Sequence, residues 1–189
     1  MISVYIKRIK NILEDEKQSI IDSLSDSALA RLSKKRNEEL YLASLCALSL
    51  LKKEEREDLD YTKNGRPFFR ILDKDISISH SKTQVAVAIS DKQATSVGID
   101  IEDLESFKLS PRFLTENEQK IAIDEQKFIE IWTKKEALFK FLKNDSISFI
   151  QLDSTRPEFF GASFTTLEEG NSIITVCVPE EEKIKIIQK

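Results

Sequence analysis

The chain has 189 residues, of which 40% are apolar and 33% charged, a composition that supports a folded core and argues against wholesale disorder. It holds one histidine and two cysteines, Cys46 and Cys177, which lie far apart. These counts argue against a zinc site of histidine and cysteine ligands and against a disulfide framework. The four glycines form no phosphate-binding loop of the GxxxxGK[ST] or GxGxxG type, so any phosphate ligand would need side chains and a metal.

The net charge of −4 argues against a general nucleic-acid binder but leaves room for a local basic pocket that holds an anion. No apolar run approaches the roughly 20 residues of a membrane helix. The first residues, MISVYIKRIK, lack the pattern of a signal peptide. We therefore expect a soluble cytoplasmic protein with no membrane partner.

Hydrophobic periodicity predicts the elements of the first half of the chain. In chain order these are a strand at 2–8, a short helix at 12–24, one long helix at 28–53, an Asn-Gly turn within 61–67, a possible strand at 68–72, and a hairpin of strands at 76–81 and 84–90.

The second half repeats this order. The pattern predicts a strand at 96–104, helical structure from 116 to 143 with a break near 124–125, and short strands at 146–152, 159–165, 172–178 and 183–187. We therefore predict an α+β fold of two similar halves, residues 1–93 and 94–189. Each half has a long helix packed on a small, mostly antiparallel sheet.

The sequence Gly98-Ile99-Asp100-Ile101-Glu102 is the strongest local feature. On a strand, Asp100 and Glu102 point to the same face while the isoleucines point to the other. Two carboxylates aimed at one place favour Mg²⁺ or a similar hard cation. The glycine would let a ligand or another backbone approach closely. An edge strand with a solvated acidic face is the simpler interpretation.

A second feature is Trp132-Thr133-Lys134-Lys135-Glu136-Ala137-Leu138-Phe139-Lys140. Trp132, Glu136 and Lys140 share one helix face, and Lys135 flanks it. This arrangement suggests a partly desolvated anion site, whereas the simpler interpretation is a surface helix with Glu-Lys pairs.

Two shorter motifs could contact phosphate. In Ser79-His80-Ser81, the single histidine stands at a strand end between two hydroxyls, and it could also be a catalytic base or a structural histidine. Asn64-Gly65-Arg66-Pro67 places a guanidinium on a rigid loop, although a turn needs no function.

Taken together and in order, NGRP, SHS, GIDIE and WTKKEALFK resemble the 4′-phosphopantetheinyl transferase superfamily. The resemblance, over residues 64–140, is to its larger, two-halved type, which includes the enzyme that activates surfactin synthetase. It implies transfer of the 4′-phosphopantetheine arm of coenzyme A to a serine of an apo carrier protein, dependent on Mg²⁺ or Mn²⁺, with release of adenosine 3′,5′-bisphosphate. It also implies a pseudo-twofold monomer with the active site in the cleft between the halves.

The resemblance carries over site residues by matching position. Asp100, Glu102 and Glu136 would hold the metal, and Glu136 would also take the serine proton, directly or through a water. Asp100, Glu136 and Lys140 would thus be the catalytic set. The residues implied to bind coenzyme A are Arg66, Ser79, His80, Lys135, Lys140, Lys35 and Arg36. Arg66 stands where the family usually has lysine, and Glu118 matches a family acid and is a possible supporting acid. A basic or apolar surface near 103–128 is expected to dock the carrier.

Two other functions share these features. A Mg²⁺-dependent phosphohydrolase would use the same carboxylates with water as the acceptor. A non-catalytic module would bind coenzyme A or a carrier without turnover.

Overall fold

The computed structural model describes residues 1–10, 12–105, 110–144 and 146–189, and it has the predicted α+β architecture. The α-helices are α1 (Glu14–Asp22), α2 (Asp26–Ser33), α3 (Glu38–Ser49), α4 (Lys53–Asp58), α5 (Glu116–Ile121) and α6 (Glu125–Leu142). The strands are β1 (Ile2–Arg8), β2 (Leu59–Tyr61), β3 (Pro67–Phe69), β4 (Asp75–His80), β5 (Gln84–Ser90), β6 (Gly98–Asp103), β7 (Ala162–Glu169), β8 (Ser172–Pro179) and β9 (Ile184–Gln188). Within the described ranges, no helix has the length and apolar character to cross a membrane.

Two larger sheets and a two-stranded ribbon make up the β-structure of the described residues. The first sheet has the order β4-β5-β1-β9, the second has the order β6-β8-β7, and β2 pairs with β3. All pairings are antiparallel except that of β1 with β9, which is parallel. Strand β9 comes from the C-terminal end of the chain and completes the sheet begun by β1. The division at residues 93 and 94 stays a prediction.

The single long helix predicted at 28–53 is wrong, because the chain forms α2 and α3 there with a turn between them. Asn37 begins the second helix: its side-chain oxygen accepts a hydrogen bond from the backbone N–H of Leu40 at 3.1 Å. An asparagine that binds the backbone in this way favours a new helix start over a continuing helix.

In the second half, the predicted helix break is confirmed and one predicted strand is wrong. Asp124 caps α6 by accepting from the N–H of Lys127 at 2.8 Å. Residues 149–151 form a turn of 3₁₀-helix in place of the strand predicted at 146–152. Phe149 packs edge-on against Trp132 and Phe139 of α6, with ring centroids 5.4 and 5.5 Å away, and this aromatic packing outweighs local strand propensity. The strand predicted at 159–165 begins only at Ala162, after a 3₁₀-turn over Pro157–Phe160.

Helix α6 packs closely on β6, and Gly98 makes this possible. A Cβ atom at Gly98 would lie 1.9 Å from the carbonyl oxygen of Ala137. The close approach expected at this glycine is therefore that of another backbone. It brings the polar face of α6 next to the carboxylates of β6.

Candidate active site

The carboxylates of β6 share one face of the strand. Asp100 is only 4% exposed and Glu102 is half-buried, while Ile99 and Ile101 are completely buried on the opposite face. This is the alternation that the sequence predicts for a strand.

Lys140 of α6 reaches across to this strand. Its ammonium donates to Asp100 Oδ1 at 2.7 Å, to the carbonyl oxygen of Ile99 at 3.0 Å and to Ser79 Oγ at 3.1 Å. Ser79 in turn donates its hydroxyl proton to Asp100 Oδ1 at 2.7 Å. Side chains from β4, β6 and α6 therefore meet at one carboxylate oxygen.

The other oxygen of Asp100 has no hydrogen-bond partner among the described residues. Asp100 Oδ2 is buried, and no donor within the described ranges reaches it. A buried carboxylate oxygen without a partner is costly in a folded protein, so this atom is suited to bind a cation that the chain itself does not provide.

Like charges surround that oxygen. Burial, followed by the negative charge of Asp100, raises the pKa of Glu102 to about 7, although a hydrogen bond from Trp132 opposes this shift. Burial and the same Asp100 charge also raise the pKa of Glu136. Full ionisation of this cluster is therefore unfavourable unless a cation lies between the carboxylates.

The donor chemistry fits a hard divalent cation such as Mg²⁺ or Mn²⁺, which prefers carboxylate oxygens. As the side chains stand, the described residues contain no group of three or more acids, histidines or cysteines close enough to hold a metal ion. Asp100 offers a free oxygen, and Glu102 and Glu136 are the neighbouring acids whose pKa values its charge raises.

Two neighbouring cavities flank this cluster. The larger has a volume of about 620 Å³, and Glu136, Lys140 and Arg66 line it. The smaller, of about 200 Å³, is lined by His80 and Lys35 among others. Gly65, Pro67 and Ile78 line both cavities. The predicted turn at residues 64–67 therefore stands between two spaces that could hold different parts of one extended ligand.

His80 faces the smaller cavity, and its surroundings favour the neutral imidazole. Burial lowers its pKa, and the positive charges of Lys35 and Lys140 lower it further, while the Ser81 carbonyl and Asp100 oppose this. Its Nδ1 lies 3.3 Å from the carbonyl oxygen of Ser81. These surroundings suit a hydrogen-bonding group better than a cationic one.

Arg31 is a residue of this region that the sequence analysis missed. Its guanidinium lies over the ring of Tyr61, 4.6 Å from the centroid, and both residues line the smaller cavity. The sequence does contain one indication of its role. Arg31 lies four residues before Lys35, a spacing that places two side chains next to each other at the end of a helix.

Two predicted coenzyme A ligands lie elsewhere. Lys135 is completely buried, and its ammonium bonds to Glu118 Oε2 at 2.6 Å and to the carbonyl oxygen of Leu152. Glu118 is buried too and also accepts from the Ser154 N–H and hydroxyl. The pair ties α5 to α6 and presents no charge to either cavity. Arg36 is exposed and lines neither cavity.

Comparison with known families agrees with the sequence motifs. Residues 96–185 match the family model of the 4′-phosphopantetheinyl transferase superfamily. This range covers both GIDIE and WTKKEALFK, and it confirms the predicted superfamily, whereas the larger two-halved type stays a prediction. No curated protein matches the chain. Residues 96–185, which carry β6 and α6, are thus similar to the 4′-phosphopantetheinyl transferase superfamily.

Proposed function

We propose that this protein transfers the 4′-phosphopantetheine arm of coenzyme A to a serine of an apo carrier protein and releases adenosine 3′,5′-bisphosphate. The observation that carries the proposal is the environment of Asp100: one oxygen accepts from Lys140 and Ser79, and the other is buried with no donor in the part of the chain that the structure describes. Phosphopantetheine transfer is the activity for which the matched family is named.

Asp100, Glu102 and Glu136 would hold the divalent cation. When bound, Mg²⁺ or Mn²⁺ would neutralise negative charge on the reacting phosphate and on the leaving group. Because the negative charge of Asp100 raises the pKa of Glu102 and of Glu136, these two carboxyl groups would release their protons more readily once a cation is bound.

Glu136 is the best placed group to accept the serine proton. Its side chain lines the larger cavity together with Lys140 and Arg66, the residues proposed to bind the pyrophosphate. In the transfer, a bond forms between the serine oxygen and the phosphorus that carries pantetheine. The bond from that phosphorus to the bridging oxygen breaks, its electron pair leaves with the nucleotide, and the serine proton moves to Glu136.

The cations around the two cavities would bind coenzyme A. Lys140 and Arg66 line the larger cavity beside Glu136, where they can offset the charge of the pyrophosphate. In the smaller cavity Lys35 and Arg31 contribute positive charge, and His80 contributes a neutral hydrogen-bonding group. Lys135 and Arg36 leave this assignment because the first is buried in an ion pair and the second lies outside both cavities.

The carrier protein is the proposed second substrate. Of the docking surface predicted near 103–128, residues 106–109 lie outside the described residues. The remainder includes Ile121 and Ile123, which are 45% and 80% exposed, with Lys120 and Lys127 nearby. Exposed apolar side chains beside lysines suit an acidic carrier. A pseudo-twofold arrangement, a cleft between the halves, a monomeric state and a cytoplasmic location belong to the same proposal.

The test is to incubate the protein with coenzyme A, Mg²⁺ and several apo carrier proteins and to measure the carriers by mass spectrometry. The proposal predicts a covalent phosphopantetheinyl adduct and its loss in Asp100→Ala. Release of phosphate or nucleotide without an adduct would support a phosphohydrolase. Binding of coenzyme A without any product would support a non-catalytic module.

A further inference from the structure

Lys143, at the end of α6, adopts a backbone conformation that lysine disfavours. Its φ is 52° and its ψ is 28°, and no other non-glycine residue in the described ranges has a positive φ. Helices often end in this left-handed conformation, but the position is usually taken by glycine or asparagine. The side chain of Lys143 makes a contribution that neither glycine nor asparagine could make.

That contribution is an ion pair with a buried carboxylate. Lys143 Nζ lies 2.7 Å from Asp75 Oδ1, and the Asp75 side chain is only 6% exposed. The second oxygen of Asp75 accepts a hydrogen bond from the Val97 N–H at 2.9 Å. Asp75 begins β4, and Val97 directly precedes β6. One carboxylate therefore joins β4, the start of β6 and the end of α6.

These are the three elements that carry the proposed site. Strand β4 carries Ser79, β6 carries Asp100, and α6 carries Glu136 and Lys140. Glu136, Lys140, Lys143 and Asp75 all line the larger cavity. A displacement of the end of α6 relative to β4 and β6 would change the separation of Glu136 from Asp100.

We propose that Lys143 and Asp75 are positioning residues, which fix the end of α6 against β4 and β6 and thereby set Glu136 opposite Asp100. The inference rests on the proposed function, because a transferase needs the base and the metal-binding carboxylates in register. A small misplacement of reacting groups is enough to lower a rate strongly.

The test compares four variants with the wild type. Lys143→Asn keeps a residue suited to the left-handed conformation and removes the charge, whereas Lys143→Met removes the charge and keeps the backbone strain. Lys143→Arg retains the charge. Lys185→Asn on β9 is the matched control, since Lys185 is exposed and lines neither cavity.

Transfer to a carrier is measured below the melting temperature of every variant. We expect kcat to fall about tenfold or more in both Lys143→Asn and Lys143→Met, with the KM for coenzyme A nearly unchanged. The two should lose kcat alike even if their melting temperatures differ, because only the charge positions the helix. Lys143→Arg should recover most of the rate, and Lys185→Asn should match the wild type.

Amide hydrogen exchange provides a second measurement that does not need activity. Loss of the lysine charge should speed exchange at Val97 and in the last turn of α6, and arginine should restore the protection. Wild-type kcat together with wild-type exchange in Lys143→Asn would overturn the proposal. If the wild type transfers nothing, the proposed function fails, and the exchange at Val97 still decides whether Lys143 holds the three elements together.

Discussion

Glu102→Gln should make the free protein more stable at alkaline pH while abolishing transfer. The pKa of Glu102 is raised to about 7, first by burial and then by the charge of Asp100. Ionising this carboxyl group therefore opposes folding in the absence of a cation. A neutral glutamine of nearly the same shape removes that opposition, and it also removes a proposed metal ligand.

The sign and size of this difference in stability follow from how many protons the folded and unfolded states bind. Between pH 4.5 and pH 7 the folded state keeps a proton on Glu102 that the unfolded state releases, so the free energy of unfolding falls as pH rises through this window. The ordinary pKa of 4.5 and the raised value of about 7 differ by about 2.5, and at about 1.36 kcal/mol for each pH unit the ionised group destabilises the fold by about 3 kcal/mol. Glutamine cannot titrate, so the advantage of the variant should grow from nearly zero at pH 4.5 to about 3 kcal/mol at pH 8.

Urea unfolding of the metal-free protein at several pH values between 5 and 8 measures this difference. Glu105→Gln is the matched control, because Glu105 follows the same strand but is exposed, and its substitution should not change the pH dependence. Equal slopes of stability against pH in Glu102→Gln and the wild type would refute the reasoning. If Glu102→Gln transferred phosphopantetheine at the normal rate, Glu102 would not be a required metal ligand.

Three further predictions concern packing and charge. Gly98→Ala should destabilise the fold by about 1–3 kcal/mol or more, because its methyl group would overlap the Ala137 carbonyl; an unchanged melting temperature would show that α6 does not depend on this close approach. Lys135→Met should destabilise by about 3–5 kcal/mol because Glu118 is left buried and unpaired. The double variant with Glu118→Met should regain stability and keep a normal KM for coenzyme A, and a raised KM there would return Lys135 to the binding site. Mn²⁺ affinity, followed by electron paramagnetic resonance, should weaken as pH falls below about 7, since a proton on Glu102 competes with the metal; affinity independent of pH would contradict this.

Local periodicity predicts which side chains share a face at the centre of the proposed site. The alternation of GIDIE places Asp100 and Glu102 on one face of β6, and the spacing of four residues places Trp132, Glu136 and Lys140 on one face of α6. Both patterns depend only on the geometry of one element. The structure adds that the two faces meet, through the bonds from Lys140 to Asp100 and Ser79.

Lys135 lies in the protein core, where it binds Glu118, and not on the anion-binding face. In the sequence, Lys135 flanks the predicted anion-binding face, three residues after Trp132, and the family resemblance implies that it contacts the pyrophosphate. Its spacing from Phe128, Ile131 and Leu138 instead follows the apolar stripe of the helix, and all three are buried. A lysine on such a stripe requires a buried acid, and only the packing of α5 on α6 shows that this acid is Glu118.

Contacts between segments that are far apart in the sequence could not be predicted from local sequence patterns. Asp75 meets the Val97 amide and the Lys143 ammonium only because two sheets and a helix end converge there. The break between α2 and α3 was also missed, because the helix period continues through it and the capping by Asn37 decides the start of the second helix.

The acids of β6 show how hydrogen-bond accounting separates structural from functional groups. Asp103 is as buried as Asp100, yet its oxygens accept from the Lys82 and Thr83 amides, the Thr83 hydroxyl and the Ser172 hydroxyl. These bonds outweigh burial and lower its pKa, so Asp103 is a satisfied carboxylate that anchors the β4–β5 turn. Asp100 has one oxygen for which the described chain provides no donor. In the sequence, Asp100 and Asp103 are simply two acids on one strand. The oxygen of Asp100 that has no donor among the described residues distinguishes it from Asp103 and makes it the better candidate to bind a cation.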